Sequence, residues 1–137
     1  MLLTKESDYG VRIIRALADG VKKTVDTICA AEHIPDKYAY KILKKLERAG
    51  FLQSLRGRDG GYRLIRPLET FSVYDVVSAI DNNLLIFECL KQDVVCPLNS
   101  GGAKCAVHKE YTAIQNSLKE ALSARTMKQI IYDTDNH

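Results

Sequence analysis

Three of the four cysteines of this 137-residue chain lie close together in the sequence. Cys89, Cys96 and Cys105 occupy a polar stretch that also contains Pro97 and two adjacent glycines, and His108 follows the third cysteine by three residues. A loop of this composition offers no apolar core in which a thiol could simply be packed, so we expect these side chains to act together. Cysteine and histidine are side chains that proteins use to hold zinc or iron.

Three thiolates and one imidazole suit either tetrahedral zinc or an iron–sulfur cluster with mixed ligands. Structural zinc sites favour short knuckles of closely spaced cysteines, and this stretch contains none. The longer separations favour an iron–sulfur cluster and leave zinc as an alternative. A metal-free thiol switch, in which two of the cysteines are oxidised, is a third interpretation. The fourth cysteine, Cys29, falls on the apolar side of a predicted helix, where we expect it to be packed in the core.

The length and composition indicate one domain, and the N-terminus lacks the basic start and apolar core of a secretory signal. No apolar run is long enough to cross a bilayer. We therefore expect a cytoplasmic protein that has no membrane partner and whose thiols stay reduced. The net charge is only +3, but Lys and Arg outnumber Asp and Glu before residue 66, whereas the acids predominate afterwards. This asymmetry favours a polyanion bound by the first half of the chain.

The basic half of the chain predicts three helices followed by a hairpin. The first helix covers residues 5–19 after Thr4, the second covers residues 25–32 after Thr24, and the third follows Pro35 and ends near residue 49. Two short helices joined by a few residues predict a helix-turn-helix. Residues 51–55 and 62–65 then predict two strands around a glycine-rich turn, which form a wing beside the recognition helix.

Basic and aromatic side chains are concentrated on the predicted recognition helix and on the wing, which favours DNA binding. Residues near the start of the helix are expected to read bases in the major groove, and those near its end to contact phosphates. The expected base-reading set is Lys37, Tyr38, Tyr40 and Lys41, and the expected phosphate-contacting set is Lys44, Lys45 and Arg48. In the wing, Arg56 and Arg58 are expected to enter the minor groove, and Gly60 to allow close backbone approach.

The second half predicts a supporting helix from Ser72 through Ile80, the cysteine loop, a long helix over residues 104–123 and a short helix after Thr126. The long helix carries a stripe of apolar side chains at helical spacing, namely Val107, Tyr111, Ile114, Leu118 and Leu122. A small domain offers little to cover such a stripe. We therefore favour dimerisation through this helix over packing on the first helix of the same chain.

These elements predict a mainly α fold with a small β-hairpin. Residues 1–66 form a winged helix-turn-helix DNA-binding region, residues 67–103 hold the supporting helix and the cluster loop, and residues 104–137 hold the dimerisation helix and the short C-terminal helix.

With these residues located, the chain resembles the Rrf-type winged-helix transcriptional regulators over nearly its whole length. The resemblance is carried by Leu3-Thr4 with Asp8-Tyr9, Ile34-Pro35 with Tyr38, Leu46 with Gly50, Arg56-Gly57 with Gly60-Gly61-Tyr62, Val76-Val77 with Ile80, and the cysteine loop before a long helix. The wing motif is the most specific of these. His33 stands in the turn where relatives often carry glycine, so we expect its backbone to be left-handed.

The resemblance implies a homodimer that binds a palindromic operator in double-stranded DNA. IscR-like members bind a two-iron two-sulfur cluster through three cysteines and a histidine, an order that Cys89, Cys96, Cys105 and His108 match. NsrR-like members instead take a fourth ligand from an acidic residue near the partner's N-terminus, and Asp8 matches that position. CymR-like members use no metal and answer to a partner enzyme or to thiol oxidation.

The sequence thus predicts a DNA-binding repressor or dual regulator whose operator binding is controlled by an iron–sulfur cluster that senses iron, redox or nitric oxide status. The alternative is a metal-free or zinc-bound winged-helix regulator. We do not expect an enzyme, because the chain has no paired nucleophile and base, and its glycine-rich turn lies between strands and not ahead of a helix.

Overall fold

The computed structural model describes residues 3–92, 96–99 and 105–133. Its helices are α1 (Lys5–Ala16), α2 (Val25–Glu32), α3 (Asp36–Arg48), α4 (Val73–Ile80), α5 (Ala106–Ser123) and α6 (Met127–Tyr132), its strands are β1 (Leu52–Leu55) and β2 (Gly61–Leu64), and short 3-10 turns cover Leu68–Thr70, Glu88–Leu90 and Pro97–Asn99. In these ranges, no helix is long and apolar enough to cross a membrane.

The helix starts follow the capping residues in the sequence. The hydroxyl oxygens of Thr4 and Thr24 accept hydrogen bonds from the backbone N–H groups of Ser7 and Thr27, at 3.2 Å in both cases. Ser72 starts α4 with a capping box. Because each cap satisfies backbone donors that a helix leaves unpaired at its first turn, these starts are determined by residues three apart in the sequence.

The first helix is shorter than the sequence predicts. It ends at Ala16 and not near residue 19, and the chain then turns through Gly20, whose φ is +77°. The ammonium group of Lys23 donates to the carbonyl oxygen of Ala16 and to the carboxylate of Asp19, the latter at 3.0 Å. These contacts satisfy acceptors at the helix end, so the chain turns back one turn earlier than its apolar periodicity suggests.

A tight turn joins α2 to α3 and forms the predicted helix-turn-helix. His33 has φ 55° and ψ 48°, which is the left-handed conformation expected for this position. The N–H groups of His33 and Ile34 both donate to the carbonyl oxygen of Cys29, in the latter case at 3.1 Å. Pro35 directly precedes α3, where its missing N–H leaves no helix hydrogen bond unmade.

The hairpin pairs Leu52 with Leu64 and Leu55 with Gly61 in antiparallel register. A third segment extends this small sheet, because Lys23 and Tyr62 exchange two backbone hydrogen bonds of 2.9 Å. The wing is therefore attached to the chain between α1 and α2, and not only to the end of α3.

One apolar core lies between α1, α2, α3, α4 and the base of the wing. Its fully buried side chains include Ile13, Ile14, Leu17, Ile28, Ile42, Leu43, Leu46 and Val76. Phe51 and Phe71 meet edge to face at 4.8 Å between ring centroids, with the Arg66 guanidinium over both rings. Met127, the first residue of α6, also enters this core, so the C-terminal helix is anchored to the winged domain.

The long helix α5 contrasts with the others, because none of its residues is buried. It starts at Ala106, two residues later than predicted, and packs on α4 and on the turn Glu88–Leu90. Val107 is 55% exposed and Ile114 is 42% exposed, so part of the predicted apolar stripe faces outwards in the single chain.

Candidate functional site

The recognition helix α3 buries one face and presents the other to solvent. Ala39, Ile42, Leu43 and Leu46 face the core. The exposed side chains are Lys37, Tyr40, Lys41, Lys44 and Arg48. These exposed residues form a basic surface one helix in length, which agrees with part of the predicted DNA-facing set.

Tyr38 and Lys45 differ from the expected exposed positions, because both are half-buried. The Tyr38 ring packs against Tyr9 of α1 at 5.5 Å between centroids, and the Lys37 ammonium lies 5.0 Å from the centre of the same ring. Tyr38 therefore belongs to the contact between α1 and α3. Tyr38 lies at the boundary between the buried and the exposed face of α3. Helical spacing in the sequence does not locate this boundary to a single residue, which explains the difference.

Lys45 is turned towards the ends of two other helices. Its Nζ donates to the carbonyl oxygen of Ile80, at 2.9 Å, and lies 3.3 Å from Glu6 Oε2. The other carboxylate oxygen of Glu6 lies 3.0 Å from Lys41 Nζ. The hydrogen bond from Lys41 is the main reason why the pKa of Glu6 falls below its ordinary value, with Lys45 contributing further.

The wing presents Arg56 and Arg58 to solvent at its tip. Gly57 lies between them with φ +112°, a backbone conformation that residues other than glycine rarely adopt. The Gly60 N–H donates to the Gly57 carbonyl oxygen at 3.0 Å, and a Cβ at Gly60 would lie 2.7 Å from the Leu55 carbonyl oxygen. Glycine at position 60 is thus required by the turn itself. Both arginines and Tyr40 of α3 line one cleft.

The four predicted cluster ligands lie around the start of α5. Cys89 is in the turn Glu88–Leu90, Cys96 precedes Pro97, Cys105 is the residue before α5, and His108 is in its first turn. The three thiols are half-buried, and none of them forms a disulfide within the described residues. Across residues 3–92, 96–99 and 105–133, no three Cys, His, Asp or Glu side chains are grouped so that they could hold a metal ion.

His108 nevertheless carries an unusual ring nitrogen. Its Nδ1 is buried and has no hydrogen-bond partner in the described part of the chain. Because a buried polar atom without a partner is unfavourable by roughly 1–3 kcal/mol, such atoms in proteins commonly have a water molecule, ligand or ion to satisfy them. The donor atoms near α5 are thus chemically suited to iron or zinc, although the thiols do not converge in this structure.

The segment that carries Cys89 is attached to α5 by contacts that sequence reasoning did not identify. The side chain of Gln115 accepts from the Ile86 N–H at 2.9 Å and donates to the Leu84 carbonyl oxygen at 3.1 Å. Phe87 stacks on Tyr111 with the ring centroids 3.5 Å apart. A glutamine on a helix has no local signal that distinguishes it from a solvated side chain, so only the tertiary contact reveals this role.

Asp8, the alternative fourth ligand, is exposed on α1 and lies 2.8 Å from the Arg12 guanidinium one turn later. Cys29 is 8% exposed, and burial followed by a hydrogen bond with Asp36 raises the pKa of its thiol to about 11. This thiol lies in the core of the helix-turn-helix, as expected, and stays protonated at neutral pH.

Comparison with known proteins identifies the family. Residues 3–133 match the family described as Rrf2, iron-dependent transcriptional regulator. The chain is 33% identical to protein aau3 of Rhizobium meliloti over 135 residues, which cover 96% of this chain and 85% of that protein. Among solved structures, it resembles CymR, the global cysteine regulator of B. subtilis, with a TM-score of 0.77, 20% identity and coverage of 98% and 99%.

A second solved structure, IscR of T. potens, gives a TM-score of 0.74 at 20% identity, with coverage of 98% of this chain and 89% of that one. These likenesses confirm the predicted mainly α winged-helix fold with its two-stranded hairpin. Because the family match covers nearly the whole chain, from Leu3 to Asp133, the chain belongs to the Rrf2 family of transcriptional regulators.

Proposed function

We propose that this chain is a dimeric, sequence-specific DNA-binding regulator whose operator binding is controlled by an iron–sulfur cluster near the start of α5. A relative from Haemophilus influenzae is named as a helix-turn-helix transcriptional regulator, and the exposed basic side chains of α3 and the wing support DNA binding by this element here. Lys37, Tyr40, Lys44 and Arg48 are then available to a duplex. Arg56 and Arg58 would enter the adjacent minor groove.

The observation that carries the cluster proposal is the buried Nδ1 of His108 without a hydrogen-bond partner in the described residues. Three thiols stand near it in the sequence, at Cys89, Cys96 and Cys105. Binding would require these thiols to come closer together than they are in this structure. The resemblance implies a cluster of the two-iron two-sulfur type, which would supply redox and nitric-oxide sensitivity when bound.

The segment around Cys89 would transmit such a change. Gln115 and Tyr111 attach this segment to α5. The same segment follows α4 in the chain, and Ile80, the last residue of α4, accepts a hydrogen bond from Lys45 of the recognition helix. A shift of the segment would therefore reach both α5 and α3. If α5 forms the dimer interface, its shift would alter the separation of the two recognition helices on a palindromic operator.

The exposed apolar residues of α5 support the homodimer. Val107, Ile114 and Ala121 are seven residues apart and all exposed, so they lie in one line along the helix. A second copy of α5 packed against this line would remove it from water. The two-fold symmetry of such a dimer suits two equivalent half-sites in DNA.

The test is anaerobic purification followed by visible absorption, iron and acid-labile sulfide analysis. A DNA duplex selected by the protein from a randomised pool then serves as the operator. We expect a coloured protein whose affinity for this duplex changes when the cluster is removed. Cys89→Ala should abolish the colour, and Cys29→Ala is the matched control because Cys29 lies in the core away from the segment. Equal affinity with and without cluster would refute the control mechanism.

A metal-free or zinc-bound regulator is the alternative, and the separation of the thiols in this structure favours its metal-free form. Such a protein would be purified without oxygen as a colourless species, with stoichiometric zinc or no metal. A metal-free thiol switch would lose DNA affinity on treatment with hydrogen peroxide and regain it on reduction.

A further inference from the structure

One carboxylate holds two lysines of the recognition helix. Glu6 lies in the first turn of α1 and presents its two oxygens to Lys41 and Lys45, which are one turn apart on α3. The Glu6 side chain is only 26% exposed, so these contacts are partly shielded from water. No other exposed basic side chain of α3 has an acidic partner among the described residues.

The two lysines differ in what else they contact. Lys45 also donates to the Ile80 carbonyl oxygen at 2.9 Å and is 30% exposed, so it connects α3 to the end of α4. Lys41 has Glu6 as its partner and is 60% exposed, on the same side of the helix as the basic surface. Lys41 can therefore leave Glu6 while the Lys45–Glu6 ion pair still joins α1 to α3, whereas movement of Lys45 would also break its hydrogen bond to the end of α4.

An ammonium group that pairs with a carboxylate is less available to a phosphate, and the carboxylate itself repels the duplex. We propose that Glu6 weakens DNA binding by competing with the duplex for Lys41, and that Lys45 serves as a link between α3 and α4 and not as a phosphate contact. This inference depends on the proposed DNA-binding role of α3. It adds an acidic residue outside the recognition helix that sets the affinity.

The experiment compares Glu6→Gln with the unaltered protein on the selected duplex. Glutamine keeps the shape of the side chain and removes its charge. Exposed ion pairs of this kind correspond to about a two- to fivefold change in an equilibrium constant, so we expect binding to tighten by about that factor. Lys41→Ala should weaken binding more in the Glu6→Gln background than in the unaltered protein, because only there is Lys41 released.

Glu69→Gln is the control for net charge. Glu69 is exposed in the turn after β2, so this substitution removes the same charge at a different place on the surface. If it tightens binding as much as Glu6→Gln, the effect is one of total charge and the competition is refuted. Unchanged or weaker binding by Glu6→Gln also refutes it. Lys44→Ala distinguishes failure of the Glu6 inference from failure of the proposed DNA-binding role of α3. If Lys44→Ala weakens binding, the role of α3 stands even when the Glu6 inference fails. If Lys44→Ala leaves binding unchanged, both are refuted.

Discussion

A lysine at position 114 should separate the dimer that α5 is proposed to form. Ile114 is 42% exposed in the single chain, and full burial of an isoleucine side chain contributes about 1.5–3 kcal/mol. Covering the remaining surface is therefore worth about 1 kcal/mol in each chain, and about 2 kcal/mol in a two-fold dimer that contains the residue twice. Loss of this contribution would raise the dimer dissociation constant roughly thirtyfold. Ile114→Lys should exceed that factor, because it also places a charge in the interface.

Sedimentation equilibrium over a range of protein concentrations measures the dissociation constant, and circular dichroism checks that the helices remain. The control is Ala113→Lys, which introduces the same side chain at an exposed position about 100° around the helix. We expect the control to remain as dimeric as the unaltered protein. If Ile114→Lys dissociates no more readily than the control, the exposed line on α5 is not the interface and the reasoning is refuted.

Further predictions concern the fold and the core thiol. Gly61→Ala would push a Cβ into the Lys23 backbone and break the two Lys23–Tyr62 hydrogen bonds. The free energy of unfolding, measured in urea, should fall by about 1–3 kcal/mol. An unchanged unfolding midpoint would contradict this. Thr24→Ala removes the cap of α2 and should lower the same quantity by about 1 kcal/mol, while an equal stability would mean that solvent replaces the cap. Burial raises the pKa of the Cys29 thiol from 9.0 to about 11. Iodoacetamide at neutral pH should therefore leave Cys29 unmodified until the protein unfolds. The folded state therefore holds the thiol proton of Cys29 more tightly than the unfolded state does. The protonated thiol's contribution to the free energy of unfolding should be complete below pH 9.0 and lost as pH rises through about 11.

The family match bears out the coarser part of the functional prediction from the sequence. The sequence predicts a transcriptional regulator and not an enzyme, and the family consists of transcriptional regulators. The match does not test the role of Cys89, Cys96, Cys105 and His108 as cluster ligands, which stays a prediction.

Local sequence was sufficient for most of the secondary structure. Thr4, Thr24 and Ser72 start helices through hydrogen bonds that span three residues, so no other part of the chain is needed to place them. The left-handed turn at His33, which the resemblance to relatives with glycine at this position implies, is also present. These features depend on neighbours in the sequence, and their outcome agrees with the prediction.

The tertiary structure decided the features that join residues far apart in the chain. Periodicity placed Lys45 on the surface of α3, but the carbonyl of Ile80 and the carboxylate of Glu6 draw it between helices. The attachment of Gln115 to the cysteine segment has the same origin. A sequence pattern specifies which face of a helix is apolar, whereas the partner of a polar side chain at the edge of that face depends on how the helices pack.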